Sequence, residues 1–152
     1  MTASQLRSCI VAERTAWVRE MLQGIRALPL DTFEAFPADP RNAPAAESHL
    51  RRALEALLDL GRHVLAKGFG IGVDEYKEIA AALSREGVLS AEEGQLLRQL
   101  AGYRNRTVHF YHEVSRRELY EICTSEPRDI DRVLDSLLAW LRAHPELLDR
   151  AP

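Results

Sequence analysis

Apolar residues recur at intervals of three and four along most of this chain, with polar residues between them. Such spacing places the apolar side chains on one face of an α-helix. No stretch alternates strictly between apolar and polar residues, as a half-buried β-strand would. The pattern therefore predicts an all-α fold. We expect an up-and-down bundle of four main helices plus one or two short helices, in a single domain covering residues 1–152.

The first two predicted helices are separated by a proline-rich segment. Helical spacing predicts the first helix over residues 4–28 and the second over residues 45–66. Residues 29–45 contain four prolines and are predicted to form a loop. We expect Phe33 and Phe36 to attach this loop to the core, although a loop of this length can also serve function.

A glycine-rich stretch at residues 68–72 ends the second helix. It lacks the preceding strand and the spacing of a phosphate-binding loop, so we interpret it as a helix end and turn. Ser90 and Glu93 form a capping box, which predicts the start of a helix directly after Ser90. The predicted helices after the turn are residues 74–85, residues 91–111, a short helix after Ser115 and a last helix with Pro127 in its first turn.

The helix predicted over residues 91–111 carries an arginine on its apolar face. At about 100° per residue and with Leu96 at 0°, the apolar arc extends to Val108 near 120° and contains Arg104 near 80°. Charged groups are rarely buried without a partner. Arg104 is therefore expected either to pair with a carboxylate, or to reach a cleft or subunit interface where an anion can bind. Asn105 and His109 leave the arc towards solvent.

The overall charge excludes a globally basic nucleic-acid-binding surface. The formal net charge is −3, so any RNA binding must be local or built by an oligomer. Cys9 and Cys123 lie far apart in the sequence and form no ligand cluster, which favours a reducing, cytoplasmic location. No signal peptide or membrane-spanning segment is readable, so we expect no membrane association.

Residues 104–111 read Arg-Asn-Arg-Thr-Val-His-Phe-Tyr. This string resembles the signature of HepT-like toxins, members of the HEPN superfamily of small helical nucleases. In that signature an arginine, a polar residue, a short spacer and a histidine are followed by a spaced tyrosine. The order of the surrounding segments is similar over about residues 47–142, including the Tyr-Lys-Glu-Ile stretch that starts at Tyr76. Phe110 departs from the pattern, in which the residue before the tyrosine is often small or acidic.

The resemblance implies a ribonuclease, acting as an endo- or exonuclease, that needs no metal and no cofactor. RNA carries its own nucleophile, the 2′-hydroxyl, and a histidine can move the proton near neutral pH. An arginine can hold the phosphate and stabilise the charge of the transition state. Arg104 would then be the phosphate clamp and His109 the acid/base, with Asn105 and Arg106 in supporting or RNA-contacting roles. In the family, two subunits bring two motifs together in a homodimer.

The resemblance also implies a protein partner. HepT toxins are held in check by an MntA-type nucleotidyltransferase antitoxin that transfers AMP to the tyrosine of the motif, here Tyr111. A negatively charged nucleotide beside the arginine and the histidine would block phosphate binding. The alternative function is that of a non-catalytic HEPN subunit, which binds nucleotides or acts as a scaffold for a nucleotidyltransferase.

Two other interpretations of the motif remain open from the residues alone. Arg104 and His109 could simply cap the end of their helix and pair with carboxylates. His109, His112 and Glu113 have a spacing at which neighbours on a helix share a face and could bind a metal. A tight site needs further ligands, and the sequence contains no second cluster of suitable spacing, so we predict no metal site.

Overall fold

The structure, a computed structural model, describes residues 5–109 and 114–150. Within these ranges it contains five α-helices, which we label in chain order: α1 Ser8–Arg26, α2 Asn42–His63, α3 Tyr76–Arg85, α4 Ala91–His109 and α5 Arg116–Ala143. The one β-type pairing found in these ranges is an isolated bridge between Leu6 and Leu148. The predicted all-α class is thus confirmed, with four long helices and the shorter α3.

Helix α2 lies at the centre of the fold, since it packs against α1, α3, α4 and α5. Its leucines and alanines recur at helical spacing, and nine of its residues are buried. Every helix contributes to one continuous hydrophobic cluster. Burial of such an apolar face contributes roughly 25 cal/mol per Å² and is the main reason that these segments are helical. The packing of α3 and α4 on α2 fixes the relative positions of the motif on α4 and the residues around it.

The loop between α1 and α2 is attached to the core as predicted. Phe36 is fully buried. The rings of Phe33 and Phe36 lie 5.5 and 5.9 Å from the ring of Tyr120, whose hydroxyl donates a hydrogen bond to the carbonyl of Leu30. Helix α2 begins at Asn42, three residues earlier than predicted. Pro44 consequently lies in its first turn, where a missing N–H is tolerated.

Two further predicted helix boundaries are wrong. Pro127 does not start a helix, because it lies inside α5, which is 28 residues long and begins at Arg116. Buried residues keep helical spacing on both sides of Pro127, and packing of this continuous face outweighs the roughly 3 kcal/mol that an interior proline costs. Helix α1 begins at Ser8 rather than Ser4, since Leu6 pairs with Leu148 and Asp149 accepts a hydrogen bond from the backbone N–H of Ser8. Long-range pairing of this kind leaves no trace in local periodicity.

The glycine-rich stretch forms a helix end, as predicted. A π-helical turn, Val64–Gly68, follows α2, and Gly70 has a φ angle of 69° that favours glycine. Beside this turn, Nε2 of His63 accepts a hydrogen bond from the backbone N–H of Arg7 at 3.0 Å. Burial lowers the pKa of His63, which suits a neutral imidazole acting as an acceptor. His63 therefore has a structural role here.

Helix α5 buries a carboxyl group at Glu126, which predicts a pH-dependent stability. Glu126 is 8% exposed, and its Oε2 has no hydrogen-bond partner among the described residues. Burial raises its pKa from 4.5 to about 7, and Asp129 adds to the rise. A pKa raised by folding means that the native state binds the proton more tightly than the unfolded state does. Stability from this group is therefore full below about pH 4.5 and is lost as pH rises through about 7.

We expect Glu126→Gln, which resembles the protonated acid, to raise the free energy of unfolding more at pH 8 than at pH 5. The difference should be on the order of 2 kcal/mol. Urea unfolding at both pH values measures it. Glu121→Gln, at an exposed position on the same helix, is the control and should show little difference between the two pH values. An equal gain for Glu126→Gln at both values would contradict the argument.

Candidate nucleic-acid cleft

A cleft of about 780 Å³ lies between α3, the end of α4 and the chain after α2. The capping box predicted at Ser90 positions α4: the Ser90 hydroxyl accepts a hydrogen bond from the backbone N–H of Glu93, and Glu93 accepts one from the backbone N–H of Ser90. The last two turns of α4 form one wall of the cleft. Four of the residues singled out from the sequence line it together: Arg104, Asn105, Arg106 and His109. The fifth, Tyr111, lies outside the described residues, as do Phe110, His112 and Glu113.

Arg104 is paired with a carboxylate, one of the two outcomes expected for it. Its Nε and Nη2 both lie 3.2 Å from Oε1 of Glu55 on α2, and its Nη1 donates to Oδ1 of Asn105 at 3.3 Å. Its side chain is only 20% exposed. Arg104 also lines the cleft, and anion binding there stays a prediction. The guanidinium is thus held on its Nε–Nη2 edge while it stands at the wall of an open cleft.

Tyr76, the first residue of α3, supports the same guanidinium. The Cζ atom of Arg104 lies 4.7 Å from the centre of the Tyr76 ring, and Cζ of Arg62 lies 5.2 Å from it. Both distances suit a cation–π contact. Burial raises the pKa of Tyr76, so its hydroxyl stays protonated near neutral pH. Arg62 is itself fixed by hydrogen bonds to the carbonyls of Val73 and Asp74. The cleft is therefore lined by an aromatic ring that contacts two anchored arginines.

Arg106 connects α4 to α5. Its Nη1 and Nη2 donate to the two carboxylate oxygens of Glu118, and this pairing lowers the pKa of Glu118. Such fork-to-fork pairs fix orientation as well as distance. Arg106 was predicted to support the site or contact RNA. Its position on the cleft wall suits both of these roles. Its ion pair with Glu118 joins the end of α4 to the first turn of α5.

The end of α4 is more exposed than the helical wheel predicts. Val108 was placed on the core face, and this is wrong, because Val108 is 38% exposed. The wheel gives the direction of a side chain but not whether a neighbouring element reaches far enough to cover it. His109 is exposed and lines the cleft. Val108 and Trp17 are the large hydrophobic residues with the greatest exposure among those described.

Sequence reasoning missed the partners of Arg104. Glu55 was seen only as one of several charged residues at helical spacing on α2, and it is 49 residues from Arg104 in the chain. Tyr76 was assigned to the inward face of α3, and it is indeed half-buried, but its ring faces the cleft. The one feature of the sequence that pointed to Tyr76 was its place at the start of the Tyr-Lys-Glu-Ile stretch, which is part of the resemblance to HepT-like toxins.

Two further features of the described residues concern metals and membranes. No group of three or more His, Cys, Asp or Glu side chains in these ranges is arranged to hold a metal ion. No helix in the same ranges is long and apolar enough to cross a membrane.

The family model for HepT-like ribonucleases matches residues 18–137, which include all of the described site on α4 and its partners on α2 and α3. The chain belongs to the HepT-like ribonuclease family. No curated protein sequence matches it significantly. The resemblance stated from the motif is thereby confirmed at the level of the family.

Solved structures of HEPN toxins have the same fold. A tri-AMPylated HEPN toxin from Shewanella oneidensis, in complex with its MNT antitoxin, superposes with a TM-score of 0.77 at 18% identity, over 86% of this chain and 97% of that one. A variant of the toxin–antitoxin MntA-HpeT gives a TM-score of 0.76 at 17% identity, over 87% of this chain and 99% of that one. YutE, a cytosolic protein of unknown function from Bacillus subtilis, gives 0.73 at 18% identity, over 93% of each chain. At these identities the likeness establishes the fold alone.

Proposed function

We propose that this HepT-like protein is the toxin of a HepT/MntA-type toxin–antitoxin pair and cleaves RNA in the cytoplasm without a metal ion or cofactor. The observation that carries the proposal is the joint position of Arg104, Asn105, Arg106 and His109 on one wall of an open cleft. Membership of a ribonuclease family supports it. The fold shared with toxins solved beside MNT antitoxins supports the pairing with such a partner. We propose that the chain acts as one HEPN-like domain.

The proposed chemistry uses the nucleophile that RNA contains. His109 removes the proton from the 2′-hydroxyl, and the 2′-oxygen attacks the adjacent phosphorus. A bond from the 2′-oxygen to phosphorus forms as the bond to the 5′-oxygen breaks, and the leaving oxygen takes up a proton from the imidazolium. Arg104 stabilises the extra negative charge on the phosphate oxygens. Asn105 holds Nη1 of Arg104 in place, and Arg106 supports the cleft wall or contacts RNA.

Degradation of RNA by the purified protein, with EDTA present, tests the proposal. Cleavage that persists in EDTA and disappears in His109→Ala supports it. Equal cleavage by both proteins would assign any activity to a contaminant or to other residues.

We further propose that the protein is a homodimer in which the motif helices of two subunits face each other. The exposed Val108 supports this, because it continues the apolar arc of α4 past Arg104. Light scattering at micromolar concentration should give twice the monomer mass, and a monomer would contradict the proposal.

A second candidate function is that of a non-catalytic HEPN subunit. The observation that favours it is the engagement of Arg104 by Glu55 and Asn105, which occupies donors that a phosphate would need. A protein that binds a nucleotidyltransferase and does not degrade RNA would match this second candidate.

For control by the antitoxin, we propose that an MntA-type nucleotidyltransferase transfers AMP from ATP to Tyr111. The tyrosine oxygen bonds to the α-phosphorus as the bond from that phosphorus to the pyrophosphate breaks, and pyrophosphate and the phenolic proton leave. AMP on Tyr111, two residues after His109 in the chain, would add a negative charge that competes with RNA phosphate for the arginines of the motif. Tyr111→Phe should keep the ring and remove the acceptor. We expect this variant to be as toxic as the wild type, yet to escape neutralisation by a co-expressed MntA-type enzyme.

Intact-mass measurement checks this expectation. The wild type should gain AMP-sized additions, and Tyr111→Phe should gain none. Tyr103→Phe, at a tyrosine on α4 that precedes the motif, is the matched control and should be modified like the wild type. Additions mapped to another residue would remove Tyr111 from the mechanism.

A further inference from the structure

A second groove continues the cleft along the outer side of α4. Its volume is about 510 Å³, and Lys77 and Gly102 line both spaces, so the two meet there. Beyond this junction the groove is lined by Arg98, Gln95 and Gln99 among others. Arg98 and His109 are eleven residues apart on one helix, which corresponds to about 16 Å at 1.5 Å per residue. A ligand that reaches both must therefore be extended.

The charge of this groove suits a polyanion. No hydrogen bond or ion pair involving the side chains of Lys77 and Arg98 is found among the described residues, and both residues are exposed. The acidic side chain at the far end, Glu92, forms an ion pair with Arg132 at 3.1 Å. The groove therefore offers two unneutralised cations on a chain whose formal net charge is −3. Gln95 and Gln99 add neutral hydrogen-bonding groups to this groove, one before and one after Arg98 along α4.

Gly102 keeps the junction open. Glycine weakens a helix interior relative to alanine, so a helical glycine usually has a packing reason. Gly61 has one, because a Cβ there would lie 2.9 Å from Leu83. A Cβ at Gly102 would meet only Cε of Lys77, at 3.9 Å, which is an ordinary contact. Packing within the chain does not require this glycine, but a longer side chain at this position would stand between the two spaces.

We propose that this groove is an RNA-binding subsite, which holds the backbone of a single strand as it leaves the cleft. Lys77 and Arg98 bind successive phosphates, and Gly102 lets the strand pass between them. A single strand is the fitting ligand because its backbone can follow a groove and its unstacked nucleotides can enter the cleft. The proposal rests on the proposed ribonuclease function, because that function places the site of cleavage in the cleft, from which the strand runs out into the groove. It adds a binding surface outside the Arg104–His109 motif.

Binding of labelled RNA to the His109→Ala protein tests the groove without cleavage. The probes are fluorescein-labelled single strands of about ten and about three nucleotides, within and below the span of common single-strand sites. We expect the longer strand to bind more tightly. Arg98→Ala and Lys77→Ala should each weaken its binding severalfold and lower the slope of log affinity against log salt by about 0.7, the value for one lost phosphate contact. Arg142→Ala, which removes an exposed charge from the end of α5 and lines neither space, should do neither.

Gly102→Leu separates a blocked groove from a damaged fold. Leucine favours the helix, so the melting temperature should not fall, while the advantage of the longer strand should disappear. The proposal is overturned if the longer strand has no advantage in the parent protein, or keeps it in both Gly102→Leu and Arg98→Ala. Its failure is distinct from failure of the ribonuclease function. Cleavage by the wild type with unchanged binding in the groove variants rejects the groove alone, and groove-dependent binding without cleavage rejects the nuclease alone.

Discussion

Expression of the wild-type protein alone should stop bacterial growth, and His109→Ala should restore it. Loss of a proton-transfer group typically lowers the rate of such a reaction by about 10²–10⁴-fold. His109 is exposed at the end of α4 as the structure describes it, so alanine removes the imidazole with little loss of packing. The defect should therefore appear in the turnover number for RNA cleavage, while RNA affinity and the melting temperature stay close to those of the wild type.

The control for this experiment is a second histidine outside the cleft. His144 stacks on Trp140 with ring centres 4.2 Å apart and belongs to the end of α5. We expect His144→Ala to lose some stability and to remain toxic. If His109→Ala is folded and as toxic as the wild type, the assignment of His109 as the acid/base is wrong. If both variants lose toxicity together with their melting transitions, the effect is on folding and the assignment also fails.

The helical architecture was predictable because its main cause is local. Helical spacing of apolar residues is visible in the sequence, and so is the reciprocal capping of Ser90 and Glu93 that starts α4. The helical repeat separates Arg104 and His109 by about 140° around α4, yet both side chains line the same cleft. Motif and periodicity together thus singled out four residues that line one cleft, all in the last two turns of α4, and their roles stay a prediction.

The parts that the sequence did not predict depend on partners far away in the chain. Glu55 meets Arg104 only because α2 packs against α4, and nothing in the local pattern of α2 marks it. The same holds for Asp149, which caps α1 from the other end of the chain. Pro127 misled the prediction for the opposite reason, since a local rule was outweighed by the packing of α5 as a whole.

Two substitutions of Glu55 should distinguish its role in positioning Arg104 from the effect of its own negative charge. Glu55 is 27% exposed and holds the Nε–Nη2 edge of Arg104 through a single oxygen, Oε1. Glu55→Gln keeps an oxygen that can accept these hydrogen bonds but removes the negative charge that competes with phosphate. We expect this variant to bind RNA several times more tightly at low salt, with a turnover number near that of the wild type.

Glu55→Ala should behave differently, because it removes the acceptor as well as the charge. Hydrogen bonds to a charged group contribute about 1.5–3 kcal/mol, and an arginine without them can leave the position that suits the transition state. We therefore expect the turnover number of Glu55→Ala to fall by roughly 10- to 100-fold while its KM does not rise. A purely structural role for Glu55 would instead lower the melting temperature of both variants and leave the turnover number of the folded protein unchanged. Equal turnover numbers for the wild type, Glu55→Gln and Glu55→Ala would show that Arg104 does not need Glu55 for catalysis.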